Sequence, residues 1–216
     1  MRIVEIFDSI QGEGRYTGYP TTFVRLAGCN LRCPWCDTKY AYDVDKFPDI
    51  SPQKIAEKVK KYKQHNVAIT GGEPLLKENI EELKDLVRRL YPYTISIFTN
   101  GTMDVSNLGE VRDQVSLVVD YKLKSAKPIV PFLKTNLIGL RFIDDLKFVV
   151  ASMADFYEAE RAIKRMYGHT MATFTMTPAY NKGFDIVLAE KIVQHRLPAV
   201  YRRQLHKDIW GEKRGV

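Results

Sequence analysis

The chain has 216 residues, of which 45% are hydrophobic and 27% charged, as in a soluble globular protein. No apolar run approaches the roughly 18 residues of a membrane-spanning helix, so the composition excludes an integral membrane protein built from helices. The 33 Lys and Arg residues outnumber the 26 Asp and Glu residues, and the resulting net charge of +7 suits an anionic small molecule or nucleic acid.

Runs of β-forming residues alternate with runs of helical periodicity along the whole chain. A first helix is predicted to begin at Ser51 and Pro52, which suit the N-cap and N1 positions, and a capping box of Ser152 and Asp155 marks a later helix start. Strands are predicted at residues 21–27, 67–70, 94–99, 115–119, 145–150, 171–176 and 199–203. Further helices are predicted at residues 78–90, 154–167 and 185–195.

This alternation indicates an α/β protein with a parallel sheet and helical crossovers. Six or seven strands are too few for a closed eight-stranded barrel. We therefore predict a partial, laterally open (β/α)6-type barrel of parallel strands, rather than a flat doubly wound sheet. No repeat, low-complexity segment or polar linker interrupts the chain, which indicates a single domain over residues 1–216.

The three cysteines of the chain stand together, as Cys29, Cys33 and Cys36 in a C-x3-C-x2-C cluster. Three thiolates can hold three irons of a 4Fe-4S cube and leave one iron open to an outside ligand. Structural zinc needs four protein ligands, and the nearest histidine, His65, lies far along the sequence. We therefore favour an iron–sulfur cluster over zinc and over three unrelated buried thiols.

Thiols that bind iron must stay reduced, whereas clustered cysteines in a secreted chain would suggest disulfides. The first residues, M-R-I-V-E-I-F-D, have acidic side chains where a signal peptide has its apolar core. We expect a cytoplasmic protein with no membrane partner.

Polar segments follow most of the predicted strands. Because the carboxyl ends of parallel strands share one face of a barrel, these segments should meet at one mouth, where active sites of such barrels lie. The segments are the cysteine loop and residues 70–74, 99–102, 120–122 and 177–181.

The cysteine triplet, together with Gly71, Gly72, Glu73 and Pro74, resembles the radical S-adenosylmethionine (SAM) superfamily. The resemblance implies that the open iron binds SAM and that the reduced cluster cleaves it to a 5'-deoxyadenosyl radical. Glycines permit close backbone approach, and a carboxylate can accept from an ammonium group. The cofactor contacts implied by the resemblance are Trp35, Cys36, Asp37, Gly72, Glu73, Asn100, Asp120, Tyr121, Lys122, Thr177 and Pro178.

Four separated motifs narrow the resemblance to the 7-carboxy-7-deazaguanine synthase family. They are F-D-S-I-Q-G-E-G at residues 7–14, F-V-R-L-A-G-C at 23–29, C-D-T at 36–38 and Q-L-H-K-D-I-W-G at 204–211. The family converts 6-carboxy-5,6,7,8-tetrahydropterin to 7-carboxy-7-deazaguanine with loss of ammonia, on the route to queuosine and archaeosine.

The resemblance also implies substrate and metal contacts. Gln11 and Glu13 would read the donor–acceptor edge of the pterin, Arg25 would bind its carboxylate, and Thr38 would be a Mg²⁺ ligand. The implied substrate contacts are Ile10, Gln11, Gly12, Glu13, Arg25, Thr70, His206 and Val216. An electron donor such as flavodoxin or ferredoxin and a homodimer are implied as partners.

Two alternatives share parts of this pattern. An activase of a glycyl-radical enzyme has the same cysteine spacing, but it acts on a protein surface, whereas the Gln11–Glu13 stretch and the basic tail favour a small anionic substrate. A metal-stabilised RNA-binding module would fit the positive charge, but its aromatic and basic residues should lie together on an open face. Here the aromatic residues follow core periodicity, so we expect no nucleic-acid partner.

Overall fold

A computed structural model of the protein describes residues 1–180 and 183–216, and these form an eight-stranded sheet whose spatial order follows the chain. Strands β2 to β8 are parallel to one another, with helical segments in the crossovers, and β1 and β8 form the two edges. The strands are β1 Ile3–Ile10, β2 Pro20–Leu26, β3 Asn66–Gly71, β4 Thr94–Thr99, β5 Val115–Asp120, β6 Asp145–Val150, β7 Thr173–Pro178 and β8 Ala199–Tyr201. The predicted open α/β architecture is confirmed.

Strand β1 corrects the expectation of parallel strands alone, because it pairs antiparallel with β2. Strand β1 was not predicted from the sequence, because its polar residues interrupt the apolar run. Those polar residues are satisfied across the sheet: Thr22 donates to Asp8 at 2.7 Å, and Arg25 donates to Glu5 at 2.7 Å. Tertiary pairing thus stabilises a strand whose local pattern is weak.

The helices cover the sheet with apolar faces, as α1 does with Ile55 and Val59. Ser51 precedes α1 in an extended conformation, but its side chain makes no capping bond. At α4 the hydroxyl of Ser152 accepts from the Asp155 amide at 3.2 Å, as the capping box predicts. The helices are α1 Pro52–Tyr62, α2 Ile80–Arg89, α3 Asn136–Gly139, α4 Met153–Met166, α5 Asp185–Gln194 and α6 Leu205–Trp210.

Most predicted boundaries agree with the structure within two residues. Helix α3, the 3-10 turns of Val105–Gln114 on either side of Gly109, and the C-terminal helix α6 were not predicted from the sequence. Strand β8 ends at Tyr201, two residues before the predicted end at residue 203. Among the residues described, no helix combines the length and apolar character needed to cross a membrane.

Candidate active site

The cysteine loop begins directly after β2 and is docked on the end of β3. The Gly72 amide donates to the Leu26 carbonyl at 2.9 Å, and the Glu73 amide donates to the Gly28 carbonyl at 2.7 Å. A Cβ atom at Gly72 would lie 1.6 Å from the Gly28 oxygen. Glycine is therefore required for the two backbones to come this close, and the contact fixes the start of the loop.

The three cysteines pack together in a small cluster beside the main core. The Cys29 sulfur accepts weak bonds from the Leu31 amide at 3.4 Å and from Asn100 Nδ2 at 3.8 Å. Burial raises the pKa of the Cys29 and Cys33 thiols, and neighbouring thiols and carboxylates add to this. Thiolates here need a positive partner, which a bound iron supplies as it displaces the protons. The donor set therefore fits a cluster.

Glu73 joins the ends of β3 and β4. It has no exposed surface, and its carboxylate accepts from the Leu75 amide at 3.0 Å, the Thr99 hydroxyl at 2.7 Å and the Asn100 amide at 2.7 Å. Burial raises the pKa of Glu73, although these three hydrogen bonds act to lower it. The glutamate holds two loops of the mouth together, and only Oε2 has a lone pair left for the predicted cofactor contact.

Asp120 and Lys122 lie at the end of β5 and form an ion pair of 2.8 Å. Burial opposes both charges, but their mutual attraction lowers the pKa of Asp120 and raises the pKa of Lys122. The second oxygen of Asp120, Oδ1, is buried without a hydrogen-bond partner among the described residues. A buried acceptor of this kind calls for a donor, so it fits a ligand that carries hydroxyl or amino groups.

Residues 11–14 enter the barrel from the end at which the parallel strands begin, because antiparallel β1 ends beside the first residue of β2. Gln11 is buried, and its side-chain oxygen accepts from the Glu13 amide at 3.3 Å. A Cβ atom at Gly14 would lie 2.5 Å from Val118 in β5. We call residues 11–14 the inner loop, since they pack against the barrel strands.

The inner loop is tied to β6 and to the C-terminal segment. The Glu13 carboxylate accepts from Lys147 Nζ at 2.9 Å and from Gln204 Nε2 at 2.8 Å. Lys147 also lies 3.3 Å from Asp120. Burial opposes the charges, but the pairing lowers the pKa of Glu13 and raises the pKa of Lys147. Sequence reasoning missed Lys147, although a lysine inside an apolar strand pattern is a sign of a buried charge with a partner.

Arg25, Thr38 and Thr70 lie close together near the base of the cysteine loop. Arg25 Nε donates to Glu5 at 2.7 Å, its Nη1 lies 3.5 Å from the Thr38 hydroxyl, and its Cα is in register with Thr70 of β3. The Tyr40 hydroxyl also donates to Glu5, at 3.0 Å. Glu5, which was not predicted as a site residue, holds the guanidinium in place.

Helix α6 closes over the inner loop. The Leu205 amide donates to the Gly12 carbonyl at 3.1 Å, and a Cβ atom at Gly12 would lie 1.9 Å from His206 Nδ1. Lys207 pairs with Asp37 at 3.1 Å; burial opposes the carboxylate charge, but this pairing lowers the pKa of Asp37 to about 2. Because 60% of the Asp37 side chain is exposed, solvent weakens the ion pair.

The remaining predicted residues have less polar surroundings. Trp35 is 45% exposed beside the cysteines, whereas Tyr121 packs on Phe132 and Phe148 with ring centroids 5.0 and 5.1 Å apart. Thr177 and Pro178 are buried at the end of β7, Ile10 ends β1, and Val216 is half-buried. Asn181, at the end of the predicted polar segment 177–181, lies outside the described residues.

The chain is similar to known proteins along its whole length. The model of the radical SAM superfamily matches residues 23–177. The 7-carboxy-7-deazaguanine synthase of Thermoplasma acidophilum is 38% identical over 221 residues, covering 100% of both chains. The chain belongs to the 7-carboxy-7-deazaguanine synthase family. The family member from Clostridium acetobutylicum is 34% identical and covers 100% of this chain and 99% of its own length.

A solved structure supports the fold independently. The crystal structure of QueE from Escherichia coli superposes with a TM-score of 0.72 at 22% identity, over 94% of this chain and 92% of that chain. The family assignment sets aside the glycyl-radical activase and the RNA-binding module.

Proposed function

We propose that the protein is a radical SAM lyase that converts 6-carboxy-5,6,7,8-tetrahydropterin to 7-carboxy-7-deazaguanine with loss of ammonia, in 7-deazapurine biosynthesis. Full-length similarity to the family supports the reaction. The structural observation that supports this reaction is the position of Arg25 beside the cysteine loop, with Nη1 3.5 Å from the Thr38 hydroxyl. The guanidinium group can bind a carboxylate through two hydrogen bonds. Residues 1–216 would act as one domain.

A 4Fe-4S cluster and SAM, when bound, supply a carbon-centred radical that removes a hydrogen atom from the substrate. Cys29, Cys33 and Cys36 would ligate the cluster. The unpaired Oδ1 of Asp120 and the side chain of Asn100 would bind SAM at the mouth, because both are buried polar groups beside the cysteines. The other cofactor contacts implied by the family complete that wall.

The chain's own residues would orient the pterin. The Arg25 guanidinium would bind the substrate carboxylate, and Gln11 and Glu13 would hold the polar edge of the ring. His206 on α6 would cover the inner loop and keep water out, since its side chain lies against Gly12. Val216, a substrate contact implied by the family, would lie on the same side as Arg25, because a Cβ atom at the preceding Gly215 would come within 3.9 Å of Glu5, the partner of Arg25.

We propose Thr38 as a Mg²⁺ ligand. Magnesium prefers oxygen ligands and keeps several waters. The Thr38 hydroxyl is buried and lies 2.9 Å from Asp37 Oδ1, so a cation there would meet oxygen donors. Arg25 and Lys207 offset the charge of Asp37, so the balancing negative charge would come from the substrate. The substrate carboxylate would complete the contact.

We propose an acidic one-electron carrier, of the flavodoxin or ferredoxin type, as the reductant. Residues 121–143 contain five basic residues and no acidic ones, and this segment packs against the cysteines through Ala126 and Val130. Lys124 and Lys127 are exposed there. Opposite charge would guide a donor to the face nearest the cluster. A homodimer and a cytoplasmic location are proposed from the family and from the need for reduced thiols.

The test is anaerobic incubation of the reconstituted, dithionite-reduced protein with SAM and 6-carboxy-5,6,7,8-tetrahydropterin. Mass spectrometry should find 7-carboxy-7-deazaguanine, and the Cys33→Ala variant should form none. Absence of product from a protein that carries about four irons per chain would refute the proposed reaction.

A further inference from the structure

Lys147 is a buried lysine that lies between two mostly buried carboxylates, Glu13 and Asp120, whose side chains are 14% and 17% exposed. Its side chain is 8% exposed, and Nζ lies 2.9 Å from Glu13 Oε2 and 3.3 Å from Asp120 Oδ2. Glu13 belongs to the inner loop on the proposed substrate side, whereas Asp120 ends β5 on the proposed cofactor side. A charged lysine in such surroundings is stable only with partners of opposite sign.

The two carboxylates each have one other donor. Gln204 donates to Glu13 at 2.8 Å, and Lys122 pairs with Asp120 at 2.8 Å. The five side chains thus form a chain of contacts across the barrel interior, with two positive and two negative charges. Without Lys147, the one lysine left would be Lys122, which pairs with Asp120 and not with Glu13. Repulsion between the two carboxylates would then push the inner loop outward.

We propose that Lys147 is a positioning residue that fixes the Glu13 carboxylate in the barrel interior and links the inner loop to the Asp120 contact at the cofactor side. The proposal rests on the proposed function, since it assumes that Glu13 faces the pterin. Lys147 itself does not have to touch the substrate. Its removal should therefore act through Glu13, weakening pterin binding more than it slows cofactor cleavage.

The experiment measures equilibrium binding of 6-carboxypterin, a stable fluorescent probe, to unreduced, SAM-loaded holoenzyme. Fluorescence anisotropy should show that Lys147→Met raises the Kd at least about tenfold, as expected for loss of one hydrogen bond to a charged group. Lys147→Arg, which keeps the charge, should recover part of this loss. Reduced enzyme without pterin should cleave SAM at a rate within about threefold of wild type in the Lys147 variants, because Asp120 keeps its ion pair with Lys122.

Arg112→Met is the matched control. Arg112 pairs with the buried Asp144, which directly precedes the strand of Lys147, and the pair contacts neither Glu13 nor Asp120. This variant should bind 6-carboxypterin as wild type does. A double-mutant cycle adds a readout that general destabilisation does not imitate: Glu13→Gln combined with Lys147→Met should cost no more binding than Glu13→Gln alone.

Wild-type binding of 6-carboxypterin by both Lys147→Met and Lys147→Arg would overturn the proposal, and so would an equal loss in Arg112→Met or additive losses in the cycle. If Lys147→Met does not fold, Lys147→Gln, which keeps a donor without the charge, takes its place with the same expected loss. Wild-type enzyme that neither binds the probe nor forms product would refute the proposed function instead.

Discussion

A single methyl group at Gly72 should detach the cysteine loop from β3. In Gly72→Ala the new Cβ would lie 1.6 Å from the Gly28 oxygen, so the two backbones must separate by roughly 2 Å to reach ordinary contact. That movement breaks the Gly72–Leu26 and Glu73–Gly28 backbone bonds. At about 1 kcal/mol for each bond, with strain added, we expect the free energy of unfolding to fall by about 2–4 kcal/mol.

Two measurements check this prediction. Urea unfolding of cluster-free protein gives the stability change, and iron analysis after anaerobic reconstitution should show a clear loss from about four irons per chain. Gly168→Ala is the control, because nothing lies within 4 Å of its added Cβ while its φ of +84° carries the usual strain; it should cost about 1 kcal/mol and load iron fully. Full iron loading and unchanged unfolding in Gly72→Ala would refute the docking argument.

Three further outcomes are expected. Cys33→Ser should lose most of its iron, measured by the same iron analysis, because one of three thiolate ligands is missing. Arg25→Lys should raise the Kd for 6-carboxypterin about tenfold but leave the Kd for unsubstituted pterin unchanged, because only the carboxylate uses the guanidinium fork. Burial lowers the pKa of His206 below its usual 6.5, so the imidazole is neutral while α6 is docked. As the pH falls, the histidine of a released α6 binds a proton before that of a docked α6. Docking of α6 is therefore complete above pH 6.5 and weakens as the pH falls below 6.5. Hydrogen exchange of residues 205–210, corrected for intrinsic rates, should show this loosening, and His206→Gln should abolish it.

Each of these outcomes has a result that contradicts it. Full iron in Cys33→Ser would mean that two cysteines suffice. Equal losses for both pterins in Arg25→Lys would indicate a general structural defect. If the corrected hydrogen-exchange rates of α6 in the wild type do not change with pH, titration of His206 has no effect on docking.

The parallel part of the barrel could be predicted because its signals are local. Apolar runs such as residues 94–99 and 145–150 coincide with β4 and β6, and cysteine spacing marks a metal centre without any tertiary information. Strand β1 could not be predicted in this way, since Glu5 and Asp8 interrupt its pattern and are satisfied only by residues of other elements.

The sequence predicts which loops form the site, but it does not predict which side chains of those loops contact one another. Glu13 and Lys147 are 134 residues apart, and nothing in the local sequence of either indicates that they meet. Similarly, Glu73 was predicted from its motif as a cofactor contact, whereas its bonds to Thr99 and Asn100 depend on the packing of two strands. Long-range polar contacts of this kind depend on three-dimensional pairing, which sequence periodicity does not encode.

The contact between Glu13 and Gln204 joins residues 191 positions apart. During synthesis the barrel strands can pair as they emerge, but the inner loop acquires this partner only after residue 204 has left the ribosome. A protease cut ahead of α6 would leave the eight strands intact and remove Gln204 and His206 together. Such a cut would also remove Lys207, the partner of Asp37 at the end of the cysteine loop, so substrate side and cluster side would be disturbed together.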